Sequence, residues 1–211
     1  MKKVLYLGTQ PYKQLDAEVV HHPLIEIIPR DFSSFSITSM FQDIKDYTHL
    51  LLTSQHAVET FFKALSFFEI PTSVLSKKHF IVIGESTHGA LKSYGDYFIG
   101  VAKNPTQEGV MDYIDQIDCE NGYFFYPRSS LARPTLSCYL RVRKLRHQVC
   151  DIYDSKKIEI QKEIDISKFD EIIFTSPSIV RAFFDQVSYV PSYVKLTSIG
   201  PITEQALVKF R

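Results

Sequence analysis

The chain has 211 residues, of which 24 are basic and 24 acidic, so its formal net charge is zero. With 45% hydrophobic and 13% aromatic residues it can bury a core, which excludes disorder, and the charge balance offers no basic surplus for a nucleic-acid partner. No apolar run exceeds four residues, against ~20 for a membrane helix, so no membrane partner is expected. The apolar stretch in Met1–Gly8 is too short for a signal peptide. Cys119, Cys138 and Cys150 form no CxxC pair, which predicts a reduced, cytoplasmic protein with no metal site. The length allows one large domain or two small ones.

The predicted elements alternate. Val4–Leu7 is a first strand, and His21-His22 lies in a loop or linker. Leu24–Pro29 reads as an extended crossing that ends in proline. Leu50–Leu52 is a strand followed by a helical pattern in Ala57, Val58, Phe61, Phe62 and Leu65. Phe80–Ile83, Tyr97–Ala102 and Tyr123–Tyr126 are further strands. Val149–Asp154 reads as a return crossing able to pair with the first. Ile172–Phe174, a helix through Ile179, Val180, Phe183 and Phe184, and the strand Leu196–Ile199 follow. Nearly continuous apolar strands mean burial on both faces. Strand–helix alternation means βαβ units and an α/β fold.

The chain also repeats itself. Residues 51–62 match 173–184 at an offset of 122, with Thr-Ser, Val and Phe-Phe in register. Residues 82–91 match 198–207 at an offset of 116, both carrying G-x-x-T-x-x-A-L. Val4–Leu7 and Tyr123–Tyr126 look equivalent as well. The expected architecture is therefore two similar flavodoxin-like lobes with parallel sheets, joined by a two-stranded linker. Residues 1–30 plus 155–211 form the first lobe and 35–147 the second, with linker strands at about 24–30 and 149–154.

The repeated turns carry the chemistry. Ser176 caps a helix that opens on Pro177, and Ser54 caps its counterpart. Gly200 caps the next, Pro201 follows, and Thr203 and Thr87 fall in first helical turns. Hydroxyl-rich helix starts at the carboxyl ends of strands attract anions, because free N–H groups and the helix dipole converge there. Ligands of open α/β sheets bind at this edge. Residues 121–150 hold six Lys or Arg and no Asp or Glu. Arg128-Ser129-Ser130 to Arg133 belongs at the same edge, while Arg141, Arg143, Lys144 and Arg146 lie further along a helix as a solvated face. No G-x-S-x-G, Walker A, G-x-G-x-x-G or H-E-x-x-H motif occurs. The residues describe a cofactor-free protein that holds a polyanion.

In these features the chain resembles uroporphyrinogen-III synthase. The matching elements are the doubled Thr-Ser turn (Thr53-Ser54 and Thr175-Ser176-Pro177-Ser178), the doubled G-x-x-T (Gly84 to Thr87 and Gly200 to Thr203), Tyr126-Pro127-Arg128 to Arg133, and the Val149-to-Tyr153 crossing. The resemblance implies two α/β lobes on a two-stranded linker. It implies a monomeric enzyme, without cofactor, that dehydrates hydroxymethylbilane, inverts its last pyrrole ring through a spiro intermediate and closes the macrocycle. The site residues it implies are Tyr153 as proton donor, with Thr53, Ser54, Gly84, Ser86, Thr87, Arg128, Ser129, Ser130, Arg133, Thr175, Ser176, Ser178, Gly200 and Thr203 binding substrate. The chain departs from the family's pattern in three places. Gly8-Thr9-Gln10-Pro11 lacks the usual arginine. Leu145-Arg146-His147-Gln148 lacks the usual glycine before the return crossing. The family usually continues one strand and helix past the position of Arg211. A non-catalytic two-lobed binding protein for an anionic metabolite, and a pseudoenzyme, are the alternative readings.

Overall fold

The computed structural model describes residues 1–9, 11, 17–160 and 164–210. Gln10 and Arg211 lie outside the described residues. In chain order the elements are β1 (Lys3–Tyr6), β2 (Glu18–His21), β3 (Ile25–Pro29), α1 (Phe35–Gln42), β4 (His49–Leu52), α2 (Gln55–Phe67), β5 (His79–Val82), α3 (Glu85–Lys92), β6 (Phe98–Val101), α4 (Gln107–Ile114), β7 (Tyr123–Ser129), α5 (Thr135–Val142), β8 (Arg146–Lys157), β9 (Glu171–Phe174), α6 (Pro177–Phe184), β10 (Lys195–Ser198) and α7 (Pro201–Leu207). The fold is α/β. The chain divides into two compact units, Met1–Ile27 with Ser155–Arg211, and Ile28–Asp154.

In the second unit the sheet order is β3-β8-β7-β4-β5-β6. The pairings β8-β7, β7-β4, β4-β5 and β5-β6 are all parallel. Parallel strands need covered faces, and alternation supplies them. Phe124 and Tyr126 turn to a core with Leu51, Ile81, Val110, Ile114, Leu136 and Leu140. Phe125 turns the other way, stacking on Tyr47 at 4.7 Å and meeting Phe41 edge-on at 5.5 Å. Each fully buried aromatic or leucine is worth roughly 1.5–3 kcal/mol relative to exposure. The crossing strands β3 and β8 are neighbours. Arg30 N–H donates to Ile152 C=O and Ile158 N–H to Leu24 C=O, so the two run antiparallel.

In the first unit the order is β10-β9-β1-β2, again parallel. Leu5, Ile172, Phe174, Ile179 and Phe183 form its main core, while Val4, Tyr6 and Ile173 face the other side. The internal repeat is structural. β9 and β10 stand where β4 and β5 stand, and each pair leads into equivalent helices. The Phe62–Tyr94 stack (4.0 Å) recurs as Phe184–Phe210 (4.4 Å). A cavity of about 650 Å³ beside β10 has a mixed lining that includes Phe184, Ser188, Val190, Ser192, Leu196 and Phe210; it is not formed by the hydroxyl-rich turns.

Three sequence expectations are corrected. His21 is not in a loop: it ends β2, opposite Tyr6, and its Nε2 lies 2.7 Å from the Gly8 carbonyl. Four residues of mixed polarity at a sheet edge carry little pattern, so β2 has no clear signature in the sequence. Arg141, Arg143, Lys144 and Arg146 do not share a helical face. α5 stops at Val142, Arg143 pairs with Asp115, and Arg146 opens β8 with its guanidinium 3.8 Å from the Tyr123 ring centroid. The missing glycine is replaced by Lys144, whose φ is +54°. Leu145 N–H reaches Leu140 C=O, and Lys144 N–H reaches Arg141 C=O, both at 3.0 Å. That is a Schellman ending, normally built on glycine because a Cβ is strained there.

Candidate active site

The carboxyl end of β4 sets the geometry. After Leu52 the chain stays extended through Ser54 (φ −167°, ψ 159°), whose Oγ accepts the Ala57 N–H at 2.9 Å and starts α2. That leaves the Thr53 and Ser54 hydroxyls side by side, each against a buried phenol. Thr53 Oγ1 is 3.3 Å from Tyr126 Oη, and Ser54 Oγ is 2.9 Å from Tyr153 Oη. Tyr126 comes from β7 and is fully buried. Tyr153 comes from β8 and is 5% exposed. Gln107, at the start of α4, donates to Tyr126 Oη at 3.4 Å and accepts the Leu136 N–H at 3.1 Å, so the Tyr126 end of the network is anchored to two further helices.

Burial dominates the electrostatics. It pushes the Tyr153 phenol up to about 12, against a lesser lowering from the Ser54 hydrogen bond. It raises Tyr126 as well, opposed by Thr53 and Arg128. Tyr153 therefore stays protonated through the neutral range. It is a buried neutral donor whose hydroxyl reaches the turn where β4 becomes α2.

The arginines of the basic stretch reach this edge already partnered. Arg128 Nε donates to Asp151 Oδ1 at 2.8 Å, and its guanidinium lies 5.6 Å from the Tyr126 ring centroid. Arg133 makes a two-pronged pair with Glu108, at 2.9 and 3.0 Å, which holds that carboxyl below its usual range. Ser129 lies on β7, and its Oγ accepts the Leu131 N–H. Ser130 N–H reaches the Tyr153 carbonyl at 3.0 Å, and its hydroxyl donates to Asp154, which also accepts from Arg30. Those two donors, Arg30 first, hold Asp154 low.

α3 begins at Gly84, whose backbone is extended; a Cβ there would sit 3.1 Å from Pro105 Cβ. Ser86 is exposed, and its carbonyl accepts from Gln55 Nε2, which ties the starts of α2 and α3 together. Thr87 is 1% exposed. Thus Thr53, Ser54, Gly84, Arg128, Ser130 and Tyr153 belong to one sheet edge.

The first unit repeats the turns. Ser176 caps α6 by accepting the Ile179 N–H, Pro177 opens the helix, and the Ser176 and Ser178 hydroxyls are 2.9 Å apart. Thr175 is half-buried. Gly200 precedes Pro201 at α7, and Thr203 is buried in its first turn. Nothing in the sequence marks Tyr126, Gln107, Glu108, Asp151 or Asp154 for these roles. Tyr126 closes an apolar strand and reads as core. Its partner Thr53 is 73 residues away. Among the described residues no cluster of three or more His, Cys, Asp or Glu could hold a metal ion.

Residues 9–211 match the family model described as uroporphyrinogen-III synthase HemD. The porphyrin biosynthesis protein HemD of Ruminiclostridium josui is 24% identical over 213 residues, covering 94% of this chain and 40% of that protein. The chain thus spans about two fifths of the length of that curated relative. A mutant uroporphyrinogen-III synthase from the extremely thermophilic bacterium Thermus thermophilus aligns with all of this chain and 89% of its own, at 15% identity and a TM-score of 0.65. Uroporphyrinogen-III synthetase from Helicobacter pylori 26695 aligns equally fully, at 16% identity and a TM-score of 0.63.

Proposed function

The chain belongs to the uroporphyrinogen-III synthase family, and from that premise we propose that it catalyses the dehydrating cyclisation of hydroxymethylbilane to uroporphyrinogen III. The observation that carries this reading is the Ser54–Tyr153 pair, a protonated phenol held at a helix-start turn on the ligand-binding edge of its sheet. Hydroxymethylbilane carries eight carboxylates. First-turn N–H groups at the Thr53-Ser54, Gly84–Thr87, Thr175–Ser178 and Gly200–Thr203 turns, with the Ser86 and Ser129 hydroxyls and the Ser130 hydroxyl once it leaves Asp154, supply uncharged donors for them. Arg128 and Arg133 add positive charge, exchanging part of their present carboxylate partners for substrate.

Tyr153 donates its proton to the departing hydroxyl as water leaves the terminal ring. A phenol held near 12 brings no negative charge close to the carboxylates at working pH. The bilane loses water readily, so the larger task is holding it folded while the last ring attacks through its substituted carbon, inverts and closes. The three cysteines are free thiols, which fits a cytoplasmic setting, and we assign no partner beyond the substrate.

Incubation with hydroxymethylbilane and separation of the product isomers tests this. Unaided closure yields the symmetric isomer I, so isomer III above background is the expected result. Isomer I alone would overturn the reading in favour of a non-catalytic binding protein. Tyr153→Phe should lower turnover about tenfold to a hundredfold, roughly 1.4–2.7 kcal/mol, with isomer III still formed.

A further inference from the structure

We infer that Ser54 acts on the reaction through Tyr153, as a positioning residue that donates its hydroxyl hydrogen to the phenol oxygen, and not as a ligand of the substrate. This rests on the role proposed for Tyr153.

A serine hydroxyl has one hydrogen and two acceptor positions. One acceptor position of Ser54 Oγ is taken by the Ala57 N–H at 2.9 Å, the bond that caps α2. Its remaining partner is Tyr153 Oη, also at 2.9 Å. Two arrangements satisfy that contact. In the first the phenol donates to Ser54, and the serine hydrogen is left over. In the second Ser54 donates to the phenol oxygen, and the phenol hydrogen is free to turn toward substrate. The second arrangement is the one in which Tyr153 can act as an acid. From that arrangement the phenol proton passes to the departing hydroxyl: the O–H bond of Tyr153 breaks, that of the leaving water forms as its C–O bond to the bilane breaks, and the phenolate oxygen keeps the Ser54 hydrogen bond.

Two features favour that arrangement. Accepting the Ala57 N–H polarises the serine hydroxyl and strengthens it as a donor. The phenolate would also form beside the positive end of the thirteen-residue helix α2. The surrounding groups give no equivalent help. The His56 ring centroid is 6.5 Å from that of Tyr153, edge-on. Glu59, on the same helix, and Tyr126, on β7, both disfavour the phenolate. In the repeated turn of the first unit the capping hydroxyl, Ser176, meets Ser178. Pairing with a phenol is thus not an automatic consequence of this cap.

The test separates capping, substrate binding and positioning. Ser54→Gly removes the hydroxyl at an N-cap where glycine costs only a few tenths of a kcal/mol, and Ser54→Thr keeps a donor. Acting through Tyr153, Ser54→Gly should lower kcat about tenfold in the wild-type background, the effect of one lost hydrogen bond. It should leave kcat within about twofold in a Tyr153→Phe background, because the oxygen it served is gone. Ser54→Thr should restore most of kcat. An equal rise in KM in both backgrounds, with kcat untouched, would make Ser54 a substrate ligand and overturn the inference. A second readout needs no turnover. With 3-fluorotyrosine at position 153, fluorine NMR should show the phenol ionising at higher pH in Ser54→Gly than in wild type, and at an unchanged pH in Ser54→Thr. Identical titrations in Ser54→Gly and wild type would refute the hydrogen bond itself. If the wild type makes no isomer III while the titration still shifts, the proposed reaction fails and the Ser54–Tyr153 coupling stands.

Discussion

Acidification from pH 7 to pH 5 should weaken the second unit through His49, and the effect can be sized. His49 lies on β4, 9% exposed, stacked on Phe124 at 4.5 Å, with Nδ1 2.7 Å from the Thr48 hydroxyl. Burial, aided by the neighbouring His79, lowers its pKa from 6.5 to about 4. The folded state thus holds this imidazole neutral, while the unfolded chain protonates it below about 6.5. The unfolded state binds more protons in that window, so stability falls as pH falls from 6.5 toward 4 and levels off below. At ~1.4 kcal/mol per pH unit, the loss by pH 5 is about 2 kcal/mol. The carboxylates held low by partners, among them Asp154 and Glu108, release their share only at lower pH. Urea unfolding at pH 7 and pH 5, for the wild type and His49→Phe, measures the effect as a difference of differences. His22, His56 and His79, also lowered by burial, contribute to both proteins and cancel. His49→Phe should lose about 2 kcal/mol less than the wild type over this interval. Equal losses would show that His49 titrates normally in the folded state.

Three further outcomes follow from local geometry. Lys144 and Glu69, both at φ +54°, occupy left-handed helix endings. Their replacement by glycine should raise stability by about 0.5–1 kcal/mol each, the strain relieved less the entropy glycine adds to the unfolded chain; a lower thermal midpoint would contradict this. Gly109→Ala should destabilise by about 3 kcal/mol, since a Cβ would sit 2.1 Å from the Asn104 carbonyl oxygen; a variant within ~0.5 kcal/mol of wild type in urea would refute that contact. Glu108→Gln should weaken the clamp on Arg133 and lower KM for the bilane about two- to fivefold, the worth of an exposed pair of ~0.5–1 kcal/mol. The gain should fade at high salt, and a raised KM would mean that Glu108 positions Arg133 instead of competing for it.

The fold was legible in the sequence wherever pattern and repetition coincided. The Thr-Ser turns at 53 and 175 lie after strand runs that are buried throughout, so the strand, the cap and the start of the helix could all be read locally. The gaps come from contacts with no local trace. β2 has no fully buried residue among its four, so no alternation betrays it. Lys144 occupies the left-handed position because hydrogen bonds to Leu140 and Arg141 select that conformation whatever residue stands there. Arg133 reads as available for substrate because its partner, Glu108, lies 25 residues earlier, on α4. Of the two phenols, Tyr153 is marked by the family resemblance alone and Tyr126 by nothing. Tyr126 and Tyr153 are apolar in pattern, and their hydroxyl contacts with Thr53 and Ser54 span 73 and 99 residues.

The repeat also separates binding from chemistry. β1 pairs Val4 with Glu171, and β7 pairs Phe124 with His49, the counterpart of Glu171. Tyr6 therefore corresponds to Tyr126. Tyr6 pairs with His21 on β2, and Tyr126 with Val149 on β8. β2 ends at His21, whereas β8 continues past Val149 to Lys157, and Tyr153 lies on that extension. The hydroxyl-capped turns are thus duplicated, while the phenol has no counterpart in β2. In the proposed reaction a substrate with many equivalent carboxylates suits duplicated donors, whereas expelling water from one end of it calls for a single acid. Ser54 and Ser176, equivalent in sequence and both helix caps, should accordingly differ in kinetics. Ser176→Gly should raise KM about two- to fivefold, one weakened neutral hydrogen bond, with kcat unchanged, whereas Ser54→Gly should act on kcat. Steady-state rates of isomer III formation for the two variants decide it. Equal losses of kcat in both would mean that the turns act alike and that the phenol contributes nothing the repeat does not already supply.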